Sequence, residues 1–162
     1  MSTGTITVTS DLFSQDATIP ASAAHAFVGG ANVSPDLRWS GVPDGTKSLA
    51  VTVYDPDAPT TVGFVHWLLF DLDPKLDRLE AGAGSAGKNP PGSTLGLTDW
   101  GVNEYGGMAP PAGDEPHRYI YTVYALDVPS LGLPPNTTYA VFNFMTRGHV
   151  LATGTLTGRF GL

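Results

Sequence analysis

Twenty glycines and fourteen prolines are spread along the whole 162-residue chain rather than gathered in one segment. Proline fixes φ and removes a backbone donor, and glycine carries a large conformational entropy, so both interrupt regular structure. A chain broken this often cannot build long helices. It can build many short strands joined by turns. The runs between the breaks agree with that. Residues 5–9 (Thr-Ile-Thr-Val-Thr) alternate with period two, and residues 48–54 (Ser-Leu-Ala-Val-Thr-Val-Tyr) are rich in β-formers. Residues 64–72 are almost continuously apolar around His66, residues 118–126 read as a central strand, and residues 153–160 can close a sheet. Helix signals are few. Residues 143–152 predict one short helix, residues 129–135 at most a single turn, and residues 81–97 a long surface loop. The expectation is an all-β fold: an antiparallel β-sandwich with one or two short peripheral helices, in one domain over residues 1–162.

The charge balance narrows the partners. A net charge of −7 and eight Lys and Arg in the whole chain leave no basic face to displace counterions from nucleic acid. An anionic membrane surface is disfavoured for the same reason. There is no cysteine, which excludes disulfides and thiolate metal sites. Residues 1–20 carry no basic start followed by an apolar run, and no stretch reaches membrane-spanning length. These features predict no transmembrane segment and a cytoplasmic protein.

Three segments concentrate polar and conformationally special residues. Asp55-Pro56-Asp57-Ala58-Pro59 follows an apolar strand directly, so two carboxylates sit on a loop stiffened by two prolines. Alone, it reads as a turn. His66 lies in the apolar run Phe64-Val65-His66-Trp67, where a single histidine is more often a satisfied core residue than a functional one. The third segment runs from Tyr105 to Tyr119. Gly107 and Ala109 allow close backbone approach, Pro110 and Pro111 form a rigid apolar wall, and His117 and Tyr119, two apart on a strand, share a face. Taken singly, each is also explained as a loop entering a strand.

The three together resemble the phosphatidylethanolamine-binding proteins, also called Raf kinase inhibitor proteins. The flanks extend the likeness: Ser34-Pro35-Asp36-Leu37-Arg38-Trp39, Thr98-Asp99-Trp100-Gly101 before Tyr105, and Val123-Tyr124-Ala125-Leu126. The resemblance covers residues 34–160 and looks closest to the bacterial branch. It implies a β-sandwich with a small anion pocket at one end, built from Asp55, His66, Pro110, Pro111, His117 and Tyr119. Asp57, Ala58 and Pro59 would shape the rim, and Phe64, Gly107, Met108 and Ala109 would complete the ligand-binding set. It also implies a cis Ala58–Pro59 bond and a homodimer. Two positions depart from the family pattern. Met108 replaces a proline, and Phe64 stands where tryptophan is common; both bear on ligand identity.

The chemistry of such a pocket suits a small anionic or phosphorylated ligand. Neutral imidazole donates through one ring nitrogen and imidazolium through both, while a neighbouring carboxylate raises the ring's pKa. With no long-range steering from this acidic chain, affinity is expected at about 10 μM to millimolar. That reading is a binding or regulatory module, with a protein partner reached through the same pocket. The alternative is an enzyme in which Asp55, His66 and His117 do acid–base chemistry on a small organic substrate, by cyclisation, elimination or hydrolysis. No nucleophile motif is present. Asp55 and the two histidines make at most a three-ligand metal set without helical His spacing, so no metal and no cofactor are expected. His25 is expected in a surface loop and His149 on the C-terminal helix.

Overall fold

The computed structural model describes residues 4–162. Nine strands dominate, in chain order β1 (Gly4–Thr5), β2 (Thr7–Thr9), β3 (Leu37–Ser40), β4 (Ser48–Asp55), β5 (Phe64–Leu72), β6 (Arg78–Leu79), β7 (Thr94–Leu95), β8 (His117–Leu126) and β9 (Val150–Phe160). Among the described residues helical structure is limited to two 3-10 turns, Ala21–Ala23 and Ala26–Val28, and one α-helix, α1 (Tyr139–Thr146).

Six strands form a large sheet in the order β1-β9-β8-β4-β5-β7, and β2-β3-β6 form a small one. The chain is therefore mostly strand with few helices, as expected. The purely antiparallel sandwich is not what forms. β1 runs parallel to β9, with Gly4 opposite Ala152, so the large sheet is mixed, and neither sheet closes on itself. The parallel pair arises because the N-terminal segment reaches β9 from the side, where the Ile6 amide donates to the Thr153 carbonyl at 2.8 Å.

β4 and β8 lie at the centre of the large sheet. β4 is buried on both faces, which explains its unbroken run of β-formers. β8 alternates, with His117, Tyr119, Tyr121, Val123 and Ala125 pointing to one side. On that side Val51, Val53, Trp67, Leu69, Tyr121 and Val123 share one core with Val8, Leu37, Trp39 and Leu79 of the small sheet. On the opposite side Ala50, Leu68, Phe70 and Leu126 pack against Phe142 of α1.

Several boundaries differ from the sequence expectation. The helix lies earlier, at Tyr139–Thr146. Thr138 caps it, its hydroxyl oxygen accepting from the Val141 amide, and Gly148 at φ 83° follows its end. The residues expected to finish the helix instead open β9, because pairing with β8 outweighs local propensity from Val150 onward. Residues 129–135 hold no helical turn. Leu131 and Leu133 pack there against the α1 side of the sheet. Inside the expected surface loop, β7 pairs with β5, Leu95 opposite Leu69.

Candidate functional site

The site lies where the ends of three large-sheet elements meet. β4 ends at Asp55, β5 begins at Phe64, and β8 begins at His117. Cross-strand register places Asp55 opposite Phe64 and Tyr54 opposite both Val65 and Ile120. Between the Val53–Trp67 and Tyr54–Val65 pairs, His66 is an extra residue with no partner, a β-bulge. In a regular strand His66 would share the α1 face with Leu68 and Phe70. The bulge puts it instead on the side of Asp55, His117 and Tyr119.

Each of these side chains is held. The His117 ring is buried. Its Nδ1 lies 2.8 Å from Asp55 Oδ2 and its Nε2 lies 2.9 Å from Asp114 Oδ2. Burial opposes charge on this ring, but hydrogen bonds and attraction from Asp55 and then Asp114 outweigh it and hold the imidazole above its usual range. Both ring nitrogens then act as donors. Asp55 Oδ1 accepts from the Asp57 amide at 2.8 Å, closing an Asx turn at the start of the loop.

His66 is held differently. Its Nδ1 faces the carbonyl oxygens of Gly106 at 2.7 Å and Gly107 at 3.1 Å. Two acceptors on one ring nitrogen require that nitrogen to carry the proton. Burial pushes the His66 pKa below its usual value, against the pull of the Gly106 carbonyl, Asp55, the Gly107 carbonyl and Asp99. Tyr119 is buried with its ring 5.3 Å from that of His66, and burial followed by the Asp55 charge keeps its phenol neutral.

These groups open on a cavity of about 140 Å³. Its walls include ten of the thirteen expected residues: Asp55, Ala58, Pro59, Phe64, His66, Ala109, Pro110, Pro111, His117 and Tyr119. The other three lie elsewhere. Asp57 turns outward to Arg118, its carboxylate accepting from the backbone amide at 2.9 Å, from Nε at 3.0 Å and from Nη2 at 2.8 Å. Those hydrogen bonds from Arg118 hold the Asp57 carboxyl at about 2. Met108 is buried in the core, and its carbonyl accepts from the His25 amide. Gly107 supports the site through its backbone: its carbonyl faces His66 and its amide donates to Asn32 Oδ1 at 2.7 Å.

The expected cis bond before Pro59 is absent, since every peptide bond among the described residues is trans. The loop is shaped by the Asx turn at Asp55 and the Asp57–Arg118 ion pair, and both are satisfied by the lower-energy trans isomer. Sequence reasoning missed Trp100 and Thr60 in the wall and Asp114 on His117. Trp100 stood in a quoted motif, but nothing local showed that its ring meets Phe64 edge-on at 5.2 Å and stacks on His25 at 4.1 Å. His25 is accordingly half-buried against Trp100 rather than a free loop residue. His149 falls beyond α1, and its Nδ1 meets Asp127 at 2.8 Å.

A second, open groove of about 580 Å³ lies beside the cavity, lined by Asp57, Asp114, Glu115, Pro116, His117, Arg118 and Arg159. His117 forms part of both walls. Among the described residues no cluster of three or more His, Asp or Glu is placed to hold a metal ion.

The sequence model described as phosphatidylethanolamine-binding protein matches residues 9–161. The chain belongs to the phosphatidylethanolamine-binding protein family. Among its relatives is YbhB of Escherichia coli, 43% identical over 141 residues, covering 84% of this chain and 89% of that one. YbcL of the same organism is 41% identical over 140 residues, covering 83% and 76%. The crystal structure of YbcL, described as a new member of the mammalian PEBP family, superposes with a TM-score of 0.93 at 37% identity, over 97% of this chain and 98% of that one. A Mycobacterium tuberculosis relative named putative lipoprotein LppC is 37% identical over 133 residues, covering 82% and 61%. As a member of the phosphatidylethanolamine-binding protein family, this chain presents its Asp-Pro-Asp-Ala-Pro loop, strand histidine and Pro-Pro loop around one small cavity.

Proposed function

We propose that this chain is a small-ligand-binding protein that takes a phosphate-like oxyanion or phosphorylated head group in the Asp55–His66–His117 cavity. The observation that carries this reading is the buried imidazolium of His117 at the cavity wall. The ring is already paired with Asp55 and Asp114, so an anion is drawn to it where it takes the place of the exposed Asp114 carboxylate, in a site where such an attraction is stronger than in water. The neutral Tyr119 hydroxyl leans on Asp55 and completes the wall beside it. An anion gains direct contact with Nε2 by replacing the Asp114 carboxylate, which is 41% exposed and so can turn to solvent. The cavity is well below the roughly 300–1,000 Å³ typical of drug-sized ligand sites, which suits a head group rather than a large organic substrate. The same chemistry on a phosphorylated side chain would give a route to regulating a partner protein.

The test is an NMR titration of the wild-type protein and His117→Ala with phosphate and phosphoethanolamine, following the histidine ring signals. Saturable shifts at His66 and His117 are expected, lost at His66 in the variant. Silence at millimolar ligand would refute the reading. A cytoplasmic location and a homodimer belong to the same proposal. Cell fractionation and sedimentation velocity test them, and a lipid-anchored or monomeric protein would refute the respective part.

A further inference from the structure

The His66 ring makes a demand of any ligand that the anion reading alone does not. Its Nδ1 proton is shared between the Gly106 and Gly107 carbonyls at 2.7 and 3.1 Å, so in the neutral ring Nε2 is a bare lone pair. That atom has no hydrogen-bond partner among the described residues, yet it is not enclosed as a buried unpartnered atom, and the ring lines the cavity. It therefore faces the ligand space as an acceptor. The one carboxylate on the wall, that of Asp55, is also an acceptor. An oxyanion with every oxygen deprotonated would set lone pairs against lone pairs at both.

Resting on the anion reading of this cavity, we propose that the site selects a protonated phosphoryl group, a monoanion carrying one P–OH, and that His66 Nε2 accepts that hydrogen bond. The His117 ring then meets the charged oxygens on one side, while the single acid proton of the ligand is given to His66. Sulfate has the same tetrahedral shape but is a dianion that carries no proton near neutral pH, so the site discriminates against it.

The support of the ring makes this tautomer durable. The Gly107 amide is tied to Asn32 Oδ1, and a Cβ at Gly107 would collide with the Ala23 carbonyl, so the carbonyl pair cannot turn away without moving the whole 3-10 segment. The ionisable groups around the ring are Asp55 on β4, His117 and Tyr119 on β8, and Asp99 ahead of Trp100. The two carboxylates favour a charged ring, but burial opposes them and lowers the ring's pKa below its usual value, in line with the Nδ1–H tautomer that the two carbonyls require.

The experiment compares inorganic phosphate, phosphoethanolamine and sulfate at a pH of about 5.5, just below the phosphomonoester second pKa of about 6. Binding is followed on ¹⁵N-labelled histidine rings. In the free protein His66 Nε2 is expected to show the shift of an unprotonated ring nitrogen and Nδ1 that of a protonated one. Both phosphate compounds are expected to move the Nε2 signal, with sulfate binding about tenfold or more weakly, the usual consequence of an acceptor left facing an acceptor. Tighter binding of phosphoethanolamine would identify an esterified head group as the source, and equal binding the free ion. Equal affinity for sulfate and phosphate, or a free protein with the proton on Nε2, would overturn the P–OH requirement while leaving the anion site standing. Failure of all three ions to bind would overturn both.

Discussion

His117 joins two carboxylates, Asp55 and Asp114, through its two ring nitrogens. Its ring and the Asp55 carboxylate are each about 4% exposed, whereas Asp114 on the other ring nitrogen is 41% exposed. Removing one partner of a buried pair leaves an uncompensated buried charge, so His117→Ala is expected to cost about 3 kcal/mol. Asp114→Ala, on the solvent side of the same ring, is expected to cost about 1 kcal/mol or less. Urea unfolding of the two variants separates these cases, and equal losses would contradict the assignment. The pH dependence follows from the direction of the shift. The folded pKa of His117 lies above the unfolded value of 6.5, so its contribution is complete below pH 6.5 and is lost as pH rises through the folded value. Stability is therefore expected to decline above pH 6.5, and the decline should vanish in His117→Ala.

The element that holds the site together is the glycine loop between β7 and β8. It docks on the 3-10 segment at several points: the Tyr105 hydroxyl donates to the Ala23 carbonyl at 2.7 Å, the Gly107 amide to Asn32 Oδ1 at 2.7 Å, and the His25 amide to the Met108 carbonyl at 2.9 Å. The backbones approach so closely at Gly107 that an added Cβ would collide with the carbonyl of Ala23 and the backbone of Ala24 and His25. Gly107→Ala is thus expected to destabilise by about 1–3 kcal/mol, the usual range for overpacking. It should also release the carbonyls from His66 Nδ1. A thermal melt reads the first effect and the His66 ring nitrogen shifts the second. A variant with wild-type stability and unchanged His66 signals would show that the loop has another way to sit.

At the scale of the whole molecule the controlling quantity is charge. Fifteen acidic side chains against eight basic ones give the chain a net −7 at pH 7. Of the basic groups, Arg118 is committed to Asp57, and Arg38 reaches Asp11 at 3.3 Å. Eight Lys and Arg against fifteen acidic side chains leave little positive charge with which to displace counterions from a phosphate polymer. No gel shift of single- or double-stranded DNA is therefore expected at micromolar protein even in low salt, and a salt-sensitive shift would refute this. An anionic small ligand gains nothing from long-range steering either, and has only the local field of His117 to draw it in. No helix among the described residues is long and apolar enough to cross a membrane.

Much of this was legible in the order of residues. The strands at β4, β5 and β8 follow from their β-branched and aromatic runs, and the punctuation by glycine and proline excludes a helical fold, because both signals are local. The family, too, is carried by local words: Asp55 to Pro59, His66-Trp67, and Pro110 to Tyr119. What the sequence could not decide are matters of register and distance. Residues 143–152 read locally as helix, but pairing with β8 claims those from Val150 onward for β9. Alternation would put His66 on the α1 face. Only the bulge against β4, a property of two strands together, turns it to Asp55. Asp114 reads as an ordinary turn carboxylate until the loop brings it to His117 Nε2, and Trp100 becomes a cavity wall only once His25 and Phe64 meet its ring. Composition and short-range pattern determined which strands form and which residues are candidates. The tertiary structure alone decided which candidates face one another, because that depends on cross-strand pairing between segments tens of residues apart, whose free energy no local window contains.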